Sequence, residues 1–161
     1  MISSRVAVAV HVLAYMAWKR SEAVTSERIA ASVNTNPVVV RRIVGALRNA
    51  GMVTVQPGVG GGATLALEPE EISLLDVYRA VEDNDELFSL HPQEPSRSCN
   101  IGGNIRDVLR PIFCGAHRAM ESVLAGVTVA EVGRQVMERA QAEGCCGGAL
   151  DAQEGRAAQA V

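Results

Sequence analysis

Residues 24–82 read VTSERIAASVNTNPVVVRRIVGALRNAGMVTVQPGVGGGATLALEPEEISLLDVYRAVE, and the punctuation of this stretch decides the fold. Thr25 is a natural N-cap, and Glu27 follows in the first turn, where the helix dipole favours an acid. Ile29, Ala30 and Val33 then share one helical face. The polar run Asn34-Thr35-Asn36 interrupts the pattern. Asn36 can cap a further helix and Pro37 suits its first position, so the spacing predicts a helix over Pro37–Asn49, closed by Gly51 as a C′ glycine. Val40, Ile43, Val44 and Leu47 fall on its inner side; Arg41, Arg42 and Arg48 lie off it. Two alternating runs, Met52–Gln56 and Ala63–Leu67, flank Pro57-Gly58-Val59-Gly60-Gly61-Gly62, the pattern of a hairpin with a small-residue tip.

Two short helices across a polar turn, followed by a hairpin, spell a winged helix-turn-helix. The expected fold class is mainly α with a small β-hairpin, extended by a long dimerisation helix. In such a module the start of the second helix reaches base edges while neighbouring groups clamp phosphates. Asn36, Pro37, Val38, Val39, Arg41, Arg42 and Arg48 are the candidate DNA contacts there. Arg41 or Arg42 can pair with a guanine edge, and Val38 and Val39 can touch a thymine methyl. Thr25 and Ser26, beside the free amides of the preceding helix, are placed to hold a phosphate. Gly58, Gly60, Gly61 and Gly62 would let the wing backbone approach DNA closely. This glycine run is no phosphate-cradling P-loop, since no Lys-Ser/Thr follows and it leads into a strand. A solvated arginine face and a plain hairpin turn are the blander alternatives.

Outside this stretch, Ser3 and Ser4 can cap a first helix reaching about Arg20, apolar on most sides. His11 in it reads as a satisfied core or interface histidine and Trp18 as a packing anchor. Ser73-Leu74-Leu75-Asp76 and Thr128-Val129-Ala130-Glu131 both match capping boxes. An amphipathic helix is expected from Ile101 to Gly126, with Pro111 kinking it. Its stripe of Ile105, Val108, Leu109, Ile112, Ala116, Met120, Val123 and Leu124 is more apolar surface than a small domain can cover, so a homodimer is expected. The alternative is that this helix folds back on the first. The expected division is a DNA-binding domain over residues 1–82, a loop over 83–100, the dimerisation helix and a terminal helix over 101–143, and a disordered Gly/Ala/Gln-rich tail over 144–161.

With 161 residues, 48% of them hydrophobic, the chain can bury one core; at 3% aromatic content that core must be aliphatic. Charge divides the chain. Seven basic residues oppose two acidic ones up to Leu67, and eight oppose sixteen beyond it, as in a polyanion-binding head on a non-binding body. No apolar run approaches the roughly 18 residues of a membrane span, and no secretory signal is legible, so a cytoplasmic location is expected. No carboxylate pair, Ser/His/Asp set or metal-spaced cluster supports an enzyme. A winged helix that docks on a protein is the remaining competitor.

The segments IAASVNTNPVVVRRIVGALRNAGMV and GVGGGATLALEPEEISLLDVYRAVE resemble the Rrf-two family of winged-helix transcriptional regulators, which includes the IscR and NsrR types. The resemblance extends from Ser3 to about Val132. It implies a dimeric bacterial repressor or activator that reads its operator with Asn36–Arg42 and places Gly60–Gly62 in its wing. Two departures matter. Family wings carry an arginine before the first glycine, where this chain has Pro57. Cluster-binding members hold iron–sulfur with three closely spaced cysteines at the start of the long helix, whereas only Cys99 lies there and Cys114 comes later. No iron–sulfur cluster, other cofactor or metal is therefore expected. Cys99, near a helix start, is a candidate thiol redox switch, Cys114 reads as core packing, and the Cys145-Cys146 pair as a poor soft-metal site.

Overall fold

The computed structural model describes residues 4–20, 22–58, 60–82 and 88–142. Among them run α1 (Arg5–Trp18), α2 (Ser26–Val33), α3 (Pro37–Asn49), β1 (Val53–Gln56), β2 (Gly62–Leu65), α4 (Leu74–Val81), α5 (Ile105–Ala125) and α6 (Val129–Ala142). The helix-turn-helix is built by local chemistry. Thr25 is extended at the head of α2, and its Oγ1 accepts the Arg28 N–H at 3.3 Å. Asn34 ends α2 in the left-handed region at φ 55°, which asparagine tolerates because its short amide can bond locally. Asn36 Oδ1 accepts the Val38 N–H at 2.8 Å, and Pro37 opens α3. Gly51 closes α3 at φ 78°, with Met52 N–H donating to Leu47 C=O at 3.0 Å and Gly51 N–H to Arg48 C=O at 2.9 Å. That is a complete Schellman closure.

Because Met52 commits its N–H to α3, the hairpin ladder starts one residue later than the alternation predicts. β1 and β2 pair antiparallel in the register Val53–Leu65, Thr54–Thr64, Val55–Ala63 and Gln56–Gly62. The wing is not a bare hairpin. Val24 and Ala63 exchange both backbone hydrogen bonds at 2.9 Å, so the residue just before α2 joins β2 as a one-residue third strand.

A second pair of bridges fixes the helices that follow. Leu74 N–H donates to Val127 C=O and Val129 N–H to Ile72 C=O, both at 2.9 Å. Ser73 and Asp76 form the expected reciprocal capping box, and Thr128 Oγ1 accepts the Glu131 N–H at 3.2 Å. The starts of α4 and α6 are thus stitched side by side, which ties the C-terminal end of α5 back to the beginning of α4.

The core is aliphatic, as the composition requires. Val12, Leu13, Val24, Ile29, Val40, Leu47, Ile72, Val77, Val81 and Val129 are all but inaccessible to solvent. Val129 lies in α6, and α6 packs on α1, so this last helix closes the core of the head instead of extending an arm. α5 packs instead on α4, where Arg79 reaches Glu121 at 2.7 Å, and Phe88 stacks on Phe113 at 5.0 Å between centroids.

Several expectations change. Ser4 stands at the head of α1 but its side chain makes no capping bond, and Ser3 lies outside the described residues. α1 stops at Trp18 because Lys19 leaves helical geometry. Trp18 is no buried anchor: it is 46% exposed, meets Tyr15 edge-on and carries the Lys19 ammonium 4.2 Å from its ring centre. His11 is exposed and lies 3.0 Å from Ser32 Oγ, linking α1 to α2. α5 begins at Ile105, since residues 101–104 are consumed in turns such as Gly103 N–H to Cys99 C=O at 2.8 Å. Pro111 lies inside α5 as the sequence places it, and the helix runs on past it to Ala125. The tail over 144–161 lies outside the described residues.

Leu47 is fully buried in α3, where that helix meets α1, α4 and the wing. Leu47→Ala is expected to cost about 2–5 kcal/mol of unfolding free energy, read as a lowered midpoint in urea with an unchanged slope.

Candidate nucleic-acid interface

The outer face of α3 carries a compact set of groups. Val38 and Val39 project side by side at 48% and 40% exposure. Arg42 lies one turn beyond Val38, exposed and in no ion pair among the described residues. Arg48 is exposed in the last turn, donating from Nη2 to Asn49 Oδ1 at 3.3 Å. Apolar contacts for a methyl, a guanidinium held by no acid and a second basic group downstream form a surface able to engage base edges and flanking phosphates.

Other residues of the predicted set have prior engagements. Asn36 uses its side-chain oxygen to cap α3, so it cannot offer the oxygen-plus-amide fork that reads adenine without giving up the cap. Pro37 is half-buried and sets the backbone of the first turn. Thr25 Oγ1 is the α2 cap, and Ser26, the first residue of α2, is half-buried. Arg41 is turned back across the turn onto Glu27 Oε1 at 2.5 Å. That ion pair was not legible in the sequence, because the fourteen-residue separation becomes a contact only once the angle between α2 and α3 is fixed.

The wing is electrically bare: no charged residue occurs from Met52 to Leu67. Gly58 and Gly60 are exposed with φ of 104° and 77°, a region closed to most side chains. A Cβ on Gly61 would collide with Gln56 C=O, and one on Gly62 would fall 2.9 Å from Val24 N. The four wing glycines therefore play different parts. Gly58 and Gly60 shape the tip, Gly61 closes it with an N–H bond to Gly58 C=O at 3.0 Å, and Gly62 seats it on Val24.

These elements have counterparts among known proteins. The Rrf2 profile, described as an iron-dependent transcriptional regulator, matches residues 2–135. The chain belongs to the Rrf2 family. YwnA of Bacillus subtilis (strain 168), named as an HTH-type transcriptional regulator, is 46% identical over 132 residues, covering 82% of this chain and 96% of YwnA. A crystal structure described as a DNA binding protein is 42% identical, covers 80% of this chain and 98% of its own, and superposes with a TM-score of 0.64. The structure of T. potens IscR, 21% identical with a TM-score of 0.66 over 86% of this chain and 90% of its own, shares the fold. The protein is thus a winged-helix DNA-binding transcriptional regulator and not an enzyme.

The family's iron dependence can be set against the donors this chain carries. Among the described residues of this Rrf2 protein no three His, Cys, Asp or Glu side chains come together as a metal ion would need. Cys99 sits in the loop and Cys114 out on α5, both exposed, which also removes Cys114 from the core role its position suggested. Cys145 and Cys146 lie outside the described residues. Among the described residues, Cys99 and Cys114 alone do not make the three-thiolate set that holds a cluster.

Cys99 differs in another respect. Its thiol is held below the ordinary range by backbone N–H groups of Gly102, then Ile101, which point at the sulfur and favour the thiolate. The turn is tight enough that a Cβ on Gly102 would collide with Ser96 C=O. Alkylation of Cys99, followed by peptide mass mapping across pH, should have its midpoint below that of an ordinary thiol. Gly102→Ala should displace the turn and raise that midpoint; an unchanged midpoint would show that these amides do not set the reactivity.

Proposed function

We propose that the protein acts as a two-fold homodimer that presents two α3 helices to successive major grooves of an operator. The observation that carries this reading is the outer face of α3, where exposed Val38 and Val39 adjoin Arg42, which no acid among the described residues engages. In this assignment Arg42 makes the principal base contact, Val38 and Val39 supply apolar contacts, and Arg48 engages the backbone. The uncharged wing contributes through its amides at Gly58 and Gly60 and adds shape in place of charge.

α5 supports the dimer. None of its residues is fully covered within one chain. Val108, Ile112 and Val123 are 57%, 58% and 69% exposed, while Ile105, Leu109, Ala116, Met120 and Leu124 are half-buried. An apolar edge of this length on a helix whose C-terminal end is tied to the head is suited to a second copy. Cys99, just before α5, would then place a thiolate near the subunit junction, where oxidation changes the dimer and hence the spacing of its two α3 helices. That is the redox reading, carried by the two amides facing the sulfur. A cytoplasmic site of action accords with the absence of any described helix long and apolar enough to cross a membrane.

Arg42→Ala should weaken operator binding by about 1–3 kcal/mol in a fluorescence-anisotropy titration and relax sequence preference at one position of each half-site. Equal affinity and preference would remove α3 as the reader. Ile112→Glu should convert a species of twice the 17.0 kDa chain mass into one of 17.0 kDa by light scattering, with loss of operator binding at the same protein concentration. A monomeric wild type, or a dimer untouched by this change, would overturn the α5 interface.

A further inference from the structure

Arg41 and Arg42 are neighbours on one helix, yet their electrostatic situations differ. Arg42 stands in no ion pair among the described residues, while the Arg41 guanidinium is bound to Glu27. Glu27 belongs to the first turn of α2, the place from which a winged helix contacts the DNA backbone. Its backbone N–H, then the Arg41 guanidinium bonded to it and, least, the Thr25 hydroxyl nearby hold the Glu27 carboxyl below the usual range. An amide at a helix N-terminus, a hydroxyl and a guanidinium are the donors that would bind a phosphate. Here a carboxylate of the same chain occupies them.

Stability does not account for the arrangement. Both side chains are more than half exposed, and ion pairs in that position contribute little to folding. The adjacent Arg28 already has an acid of its own, Glu22 at 3.3 Å, so Glu27 is not needed to balance the charge of α2. What the pair does change is the number of cations available to a polyanion.

We infer that Glu27 is a specificity-determining residue: an internal anion that occupies the phosphate-binding corner of α2 and withholds Arg41 from DNA of arbitrary sequence. On random duplex, Arg41 stays with Glu27 and contributes nothing to counterion release. Non-specific affinity is thereby reduced by one phosphate contact, and a larger share of the binding energy comes from the base-edge contacts of Arg42, Val38 and Val39. The proposal rests on the operator-reading role assigned to α3.

The test uses the full-length dimer, a random-sequence 30-base-pair duplex, and a duplex selected by the wild type from a randomised pool. Affinities are measured over a salt series for wild type, Glu27→Gln, Arg41→Ala and the double variant, with circular dichroism confirming the fold of each. Glu27→Gln should raise affinity for the random duplex roughly fivefold at low salt and steepen its salt slope by about 0.9, one added phosphate contact. Affinity for the selected duplex should rise less, so the specificity ratio falls. Both effects on random duplex should vanish in the Arg41→Ala background. An unchanged random-duplex affinity and slope would overturn the inference. So would a gain that persists without Arg41, since the effect would then be general charge removal. A wild type that enriches no sequence from the pool would overturn the reader role itself, and this inference with it.

Discussion

The DNA-facing geometry of the protein depends on the exchange of two backbone hydrogen bonds between Val24 and Ala63. Val24 immediately precedes the Thr25 cap, so this bridge fixes where α2 begins relative to the wing. α3 is bonded into the other end of the same hairpin through the Schellman closure at Gly51 and Met52. The helix-turn-helix and the wing therefore form one closed circuit of backbone bonds around the aliphatic core of Ile29, Val40 and Leu47. An unpaired strand edge is costly to leave open and easy to misregister; here the short edge of β2 is covered by the one residue that also sets the start of α2. Gly62 is part of the same constraint, because any side chain there would collide with the backbone of Val24.

A second constraint separates reading from assembly. The bridge between Ser73 and Thr128 pins the starts of α4 and α6 together, so the chain that runs out through α4 and the following loop is brought back to the head at the end of α5. α6 then returns to cover α1, and α5 is left with α4 as its main helix partner within the chain. The apolar edge of α5 follows from this arrangement and not from any shortage of core residues. The turns holding Cys99 lead into α5, which packs on α4, and α4 in turn packs on α3.

Much of this was legible in the sequence because it is written in local chemistry. Thr25, Asn36, Pro37, Gly51, Ser73 and Asp76 each act within a few residues of themselves, and the structure places each at the helix end its type announces. The features that were not legible are those created by distance. The Val24 bridge carries no alternating pattern, since a single residue has none. The Arg41–Glu27 pair appears only when α2 and α3 are set at their crossing angle, and it reassigns one of the two arginines that the helical pattern treats alike. The periodicity overextends α1 and α5 for a related reason: it continues through residues whose backbone is already committed to turns. Membership of the Rrf2 family is visible in the helix-turn-helix and glycine wing.

Hydroxyl-radical footprinting on a selected operator tests most directly whether a symmetric pair of α3 helices reads DNA through one face. Two protected patches are expected, related by the operator's own two-fold symmetry, with half-site centres about one helical turn, or a multiple of it, apart. A single patch, or protection without symmetry, would contradict the paired arrangement.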